Sequence, residues 1–145
     1  MLTSDANREL SALDRELIEQ RVRAIWEMRK RGEVEGCAPY LARDCVYVGK
    51  GLLRKHFSIR REGREAVLEW ARQLNASVET LEMKVVDLVI DGNQVAACRH
   101  FRQRARGGGR AEDIIICSYI RFRGGEIVEI FEYPDTMAIT RLLSD

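Results

Sequence analysis

Apolar residues recur at helical spacing along the first part of the chain, and this pattern predicts a long helix over residues 5–31. The predicted stripe consists of Leu13, Leu17, Ile18, Val22, Ile25, Trp26 and Arg29. Ser11 and Asp14 resemble a capping box, which would allow the continuous helix to begin at Ser11. A short second helix is predicted over about 34–42. A third is predicted over 63–75, where Trp70 shares an apolar stripe with its neighbours.

After this helix the hydrophobic pattern alternates at every second residue, which is typical of strands. The stretches DGN, GGG and GG separate four such segments, 78–90, 94–106, 111–123 and 126–133. They predict an antiparallel meander. An earlier strand is expected over 44–49, followed by a loop over 50–63, and Asp135 is expected to cap a closing helix. The predicted order, α-α-β-α-β-β-β-β-α, gives an α+β fold with a strongly curved antiparallel sheet in a single domain, 1–145.

Charge and composition narrow the classes of partner. The chain has 145 residues, 24 basic and 23 acidic, with a net charge of +1. The chain therefore has almost no excess of positive charge with which to bind nucleic-acid phosphates, so we expect no nucleic-acid partner. Arginines do crowd the segment 99–110, where a phosphate-binding patch is one interpretation. We favour a solvated hairpin arm, or one that reaches across a dimer interface, because acidic residues follow directly.

Membrane, metal and cofactor sites are not predicted. No apolar run approaches the roughly 20 residues that span a bilayer, and the N-terminus lacks an apolar signal core, so we expect a cytoplasmic location. The four cysteines are far apart and the chain has two histidines, so we expect free thiols and no metal. No glycine-rich nucleotide motif follows a strand, and no cofactor is expected.

Three segments resemble the SnoaL-like families of the nuclear transport factor 2-like superfamily. They are GREAVLEWA (63–71), VVDLVIDGNQVAACRHF (85–101) and YIRFRGGEIVEIFEYPDT (119–136). The resemblance implies a conical sheet around a deep pocket that the helices close. It also implies cofactor-independent chemistry of the ketosteroid isomerase, limonene-epoxide hydrolase, polyketide cyclase or dehydratase kind, or plain ligand binding. A homodimer through the convex sheet face is expected, with Cys98, His100 and Tyr119 on that face.

Strand alternation indicates which side chains face the pocket. In the last strand Val128, Ile130 and Glu132 share one side. In the hairpin strand the side assigned to the interior carries Val95, Ala97, Arg99, Phe101 and Gln103. An acidic residue therefore shares a face with apolar neighbours, which favours a cavity over a solid core there.

The pattern of limonene-epoxide hydrolases is matched in part. Arg99, Glu132 and Tyr47 fall on the arginine, one aspartate and the tyrosine of that family. The second aspartate is replaced by Phe101, and the asparagine by Gly49. Half of the water-activating apparatus is therefore missing, which disfavours epoxide hydrolysis by that mechanism.

The three matched residues form the predicted catalytic set. Glu132 would act as general acid or base, Arg99 as its electrostatic partner and Tyr47 as a hydrogen-bond donor to a carbonyl or enolate oxygen. The expected ligand is a hydrophobic small molecule of the carbonyl type, processed by isomerase, cyclase, dehydratase or hydrolase chemistry. Residues expected to contact it are Trp26, Trp70, Phe101 and Ile130.

Structural interpretations of the same residues stay open. Arg99 and Glu132 could be a buried ion pair that holds two strands in register. Tyr47 and the two tryptophans could be core residues. His56, in the long loop, could lie at the pocket mouth. The alternative functions are a non-catalytic ligand-binding domain and a dimeric interaction domain of the same fold.

Overall fold

The computed structural model describes residues 4–50 and 59–143, with side chains from residue 14 onward. Its helical elements are α1 (Ser4–Lys30), a 3₁₀ helix (Glu35–Tyr40), α2 (Arg64–Ser77) and α3 (Thr136–Leu143). Its strands are β1 (Leu41–Gly49), β2 (Ile59–Glu62), β3 (Val78–Asp91), β4 (Gln94–Ala105), β5 (Glu112–Arg123) and β6 (Glu126–Pro134).

The six strands form one curved, unclosed sheet in the order β2-β1-β6-β5-β4-β3. Strands β3 to β6 are the predicted antiparallel meander, and Gly92 and Gly124 supply the positive φ that its tight turns require. The prediction of a wholly antiparallel sheet is wrong at one place, because β1 pairs with β6 in parallel. The α+β class and the curved sheet are confirmed.

Three predicted boundaries differ from the structure. The second helix is a 3₁₀ helix of six residues with Pro39 inside it, and β1 begins directly after it at Leu41. Proline lacks an N–H and disfavours a longer helix at this point. Helix α1 spans Ser4–Lys30, in agreement with the predicted helix over 5–31, and the alternative start at Ser11 is wrong.

The predicted loop over 50–63 contains the short strand β2, which pairs antiparallel with β1. Three of its four residues, IRRE, are charged, so the segment shows no alternation of apolar and polar residues. Residues 51–58, including His56, lie outside the described residues.

The main core lies between α1 and the concave face of the sheet. Ile18, Val22, Ile25 and Trp26 on the helix stripe are buried, as are Phe122 and Ile127 on the strands. The predicted inward side of β4 is confirmed by the burial of Val95, Ala97, Arg99 and Phe101. His100 lies on the opposite side, half-buried, with Nε2 3.4 Å from Asp113 Oδ1. No helix in the described ranges is long and apolar enough to cross a bilayer.

Three arginines of the β4–β5 hairpin have partners within the described chain. Arg102 Nη1 lies 3.3 Å from Asp113 Oδ1, and Arg104 Nη2 lies 2.9 Å from Glu79 Oε2. Arg106 donates hydrogen bonds to the backbone oxygen and the side chain of Asn75. These contacts neutralise part of the positive charge of the segment, so fewer of its arginines are available for phosphate groups.

Asp135 caps α3 as predicted. Its Oδ1 accepts hydrogen bonds from the backbone N–H groups of Met137 and Ala138, both at 3.1 Å. We expect Asp135→Ala to lower the free energy of unfolding by about 1 kcal/mol, because two N–H groups lose their acceptor. The Tm, measured by circular dichroism, should fall by roughly 2–4 °C for a chain of this size. Asp135→Asn keeps the acceptor and should remain close to the parent protein. An equal loss in both variants would contradict the capping role.

Candidate functional site

A cavity of about 510 Å³ lies on the concave side of the sheet, where α1, α2 and α3 contribute to its wall. Most of the lining is apolar. All seven residues that the sequence assigned to the site line this cavity: Trp26, Tyr47, Trp70, Arg99, Phe101, Ile130 and Glu132.

A hydrogen-bonded cluster of Arg99, Ser118 and Glu132 lies at one side of the cavity, where Arg99 and Glu132 line it and Ser118 is buried behind them. Arg99 Nη2 donates to Glu132 Oε2 at 2.7 Å and to Ser118 Oγ at 3.0 Å, and Ser118 Oγ donates to the same Oε2 at 2.9 Å. The residues come from β4, β5 and β6, with Ser118 directly opposite Glu132 in the sheet register. The Arg99 side chain is 7% exposed and that of Glu132 20%, so the ion pair is largely removed from solvent.

Two aromatic rings hold the Arg99 guanidinium. Its Cζ lies 4.5 Å from the ring centroid of Trp26 and 4.9 Å from that of Phe101. Cations over aromatic faces are attracted by the ring quadrupole. Burial lowers the pKa of Arg99, and the charge of Glu132 opposes this shift. The Arg99 Nε atom is also buried, without a hydrogen-bond partner in the described part of the chain.

Tyr47 reaches the cavity from β1, where it pairs with Ile130, while Gly49 pairs with Glu132. Burial, followed by the negative charge of Glu132, raises the pKa of the Tyr47 hydroxyl far above its ordinary value. The hydroxyl therefore stays protonated as a hydrogen-bond donor, and the Glu132 carboxylate is close enough to interact with it in the absence of a ligand. A methyl group on Gly49 would come within 3.4 Å of Tyr47 Oη, so the glycine leaves room beside this hydroxyl.

Trp70 completes the wall on the α2 side. Its ring centroid lies 6.3 Å from that of Tyr47, and Arg61 Cζ lies 5.3 Å from the Trp70 ring. The indole Nε1 is buried and makes no hydrogen bond of ordinary geometry within the described residues, although it lies close enough to the Tyr47 hydroxyl to favour the ionised form of that group. A buried donor on the wall of a cavity can be satisfied by an acceptor atom of a ligand.

The family model of the SnoaL-like domain matches residues 22–130. The chain belongs to the SnoaL-like domain family. The search of curated proteins gave no match.

Solved structures share the fold of this SnoaL-like domain. A candidate isomerase from Bacillus subtilis superposes with a TM-score of 0.80 at 13% identity, over 89% of this chain and 94% of that one. An LEH-like epoxide hydrolase from M. tuberculosis gives 0.72 at 19% identity, over 88% and 90%. An NTF2-like protein from Burkholderia xenovorans gives 0.72 at 20% identity, over 89% and 97%. At these identities the likenesses establish the fold alone.

Ser118 is the residue of this SnoaL-like site that sequence reasoning missed. The sequence does show it as a single hydroxyl on the inner side of β5, where the alternate positions Ile114, Ile116 and Ile120 are apolar.

Within residues 4–50 and 59–143, no group of three or more His, Cys, Asp or Glu side chains is placed to hold a metal ion. Glu132 supplies a carboxylate, Tyr47 a protonated phenol and Arg99 a cation. This set is suited to proton transfer next to an oxygen atom that accepts a hydrogen bond.

Proposed function

We propose that this SnoaL-like domain binds a hydrophobic carbonyl compound in its cavity and acts on it by acid–base catalysis without a cofactor. One observation carries the proposal: Tyr47, Arg99 and Glu132 converge on an apolar cavity. Arg99 and Ser118 both donate to Glu132 Oε2, and neither donates to Oε1. The carboxylate is thereby fixed in position and keeps an oxygen outside these two bonds.

Each residue has a definite role in the proposed reaction. Glu132 removes a proton from the carbon next to the substrate carbonyl, and the electron pair moves onto the carbonyl oxygen as an enolate. Tyr47 donates a hydrogen bond to that oxygen. Glu132 returns its proton to a different carbon in an isomerisation, while cyclisation or dehydration would use the same enolate. Arg99 does not exchange a proton and holds Glu132 in place.

Ligand binding without turnover is the second candidate. The observation that favours it is the pair of hydrogen bonds that Glu132 accepts from Arg99 and Ser118, which satisfy much of the carboxylate without a substrate.

We also propose a homodimer through the outer sheet face. On this face Tyr119 and Phe131 are half-buried with ring centroids 6.4 Å apart, and Tyr133 is exposed. We also propose a cytoplasmic location, which the four free cysteine thiols support.

Thermal unfolding tests the binding step. The protein is unfolded in the presence of a library of hydrophobic ketones, lactones, epoxides and steroids, and compounds that bind the folded state raise the Tm. Ala71 lines the cavity on α2, so Ala71→Phe should fill part of it and reduce these shifts. Ala76→Phe lies on an exposed part of the same helix and should leave them unchanged. The proposal fails if no compound shifts the parent protein, or if Ala71→Phe keeps every shift.

A further inference from the structure

Arg29 is a cation at the end of the apolar stripe of α1. It follows Val22, Ile25 and Trp26 at helical spacing, and these three are buried in the core. The Arg29 side chain is half-buried and lines the same cavity as Glu132. The face of α1 that carries apolar residues on its preceding turns therefore carries a guanidinium where it lines the cavity.

No carboxylate in the described chain forms an ion pair or hydrogen bond with Arg29, in contrast to the neighbouring cations. Lys30 pairs with Glu27 at 3.9 Å, and Arg31 pairs with Glu33 at 3.1 Å. Arg23, two turns earlier, pairs with Glu19 at 3.1 Å. Removing an unpaired cation partly from water costs free energy. An anionic ligand group next to Arg29 would offset this cost through a charge-assisted hydrogen bond.

The charge balance of the cavity points the same way. Among its described lining residues are three cations, Arg29, Lys30 and Arg99, and a single carboxylate, Glu132. Glu132 pairs with Arg99 and Lys30 pairs with Glu27, so Arg29 is the lining cation that has no ion pair within the described residues. An apolar cavity with a net positive wall favours amphiphilic anions.

We propose that the ligand of this cavity is an amphiphilic monoanion, an apolar body with one carboxylate or similar oxyanion, and that Arg29 binds the anionic group. This inference rests on the proposed use of the cavity as the ligand site. The planar guanidinium can donate two parallel hydrogen bonds to a carboxylate, and a neutral ligand of the same shape would leave that fork unused.

A matched pair of fluorescent probes tests the anion preference. 8-Anilinonaphthalene-1-sulfonate and N-phenyl-1-naphthylamine share one ring system and differ by the sulfonate group. Their dissociation constants are measured by fluorescence titration for the parent protein, Arg29→Gln and Arg29→Lys. Arg23→Gln, an exposed arginine on the same helix, is the matched control, and Lys30→Gln tests the neighbouring cation. Ala71→Phe reports whether the signal comes from the cavity, and circular dichroism confirms folding.

We expect the parent protein to prefer the sulfonate probe and Arg29→Gln to lose about tenfold of this affinity, the usual size for one charge-assisted hydrogen bond. The neutral probe should bind Arg29→Gln as before, Arg29→Lys should recover part of the loss, and Arg23→Gln should keep the preference. Lys30→Gln should lose less of the preference than Arg29→Gln, because Lys30 pairs with Glu27. Loss of both probes by equal factors, or an unchanged preference in Arg29→Gln, would overturn the role of Arg29 and leave the proposed function standing. Binding of neither probe, or binding unaffected by Ala71→Phe, would overturn the cavity as a ligand site and this inference with it.

Discussion

Replacing Arg99 by methionine should lower the free energy of unfolding by about 3–5 kcal/mol, because Glu132 would be left as a largely buried carboxylate without its cation. The variant also loses the donor to Ser118 and the contacts of the guanidinium with Trp26 and Phe101. For a chain of this size the Tm should fall by on the order of 10 °C. Urea unfolding followed by circular dichroism measures the loss.

A second substitution separates the ion pair from the packing. Arg99→Met combined with Glu132→Leu removes both charges, and apolar replacement of a buried pair is often close to neutral. We therefore expect the double variant to be more stable than Arg99→Met alone. Strictly additive losses would show that the two residues are not energetically coupled, and they would contradict the cluster as described.

Glu132→Gln should reduce turnover by roughly 10²- to 10⁴-fold, the range for loss of a positioned general acid or base. Glutamine keeps the shape of the side chain and an oxygen that can accept from Arg99 and Ser118, so the fold and ligand binding should be retained. The Tm of the variant should be lower, because the buried Arg99 loses its anion. The measurement is kcat on a compound found by the thermal screen, with binding followed by the Tm shift.

Ser118→Ala is the matched control for that variant. It keeps the carboxylate and its pairing with Arg99 but removes the second donor to Oε2. We expect a smaller loss of turnover than in Glu132→Gln, because the proton-transfer group remains. Unchanged turnover in Glu132→Gln would remove Glu132 from catalysis and leave the cluster a structural role.

The orientation of the site residues could be predicted from strand alternation. Once β4 and β6 were recognised, the period of two fixed which side of each strand carried Arg99 and Glu132. Alternation fails earlier in β6, where a register shift brings Ile127 to the inner side as well. Apolar neighbours on the same sides then indicated the interior. The meander and the closing helix followed from turn residues and from Asp135, since these signals are local in sequence.

Contacts between distant segments could not be predicted in this way. The parallel pairing of β1 with β6 joins residues more than 80 positions apart, and no local pattern encodes it. The place of Ser118 in the cluster depends on the register of β5 against β6. The sequence shows Phe101 at the position where the pattern of limonene-epoxide hydrolases has an aspartate. The structure shows that its ring packs against the Arg99 guanidinium.

The most direct test is a crystal structure with a compound selected by the thermal screen. Our account predicts the compound inside the cavity between Trp70 and Phe101, with an oxygen atom within hydrogen-bond distance of Tyr47 Oη and a carbon atom next to Glu132. A compound bound on the outer face of the sheet, with the cavity unoccupied by ligand, would contradict it.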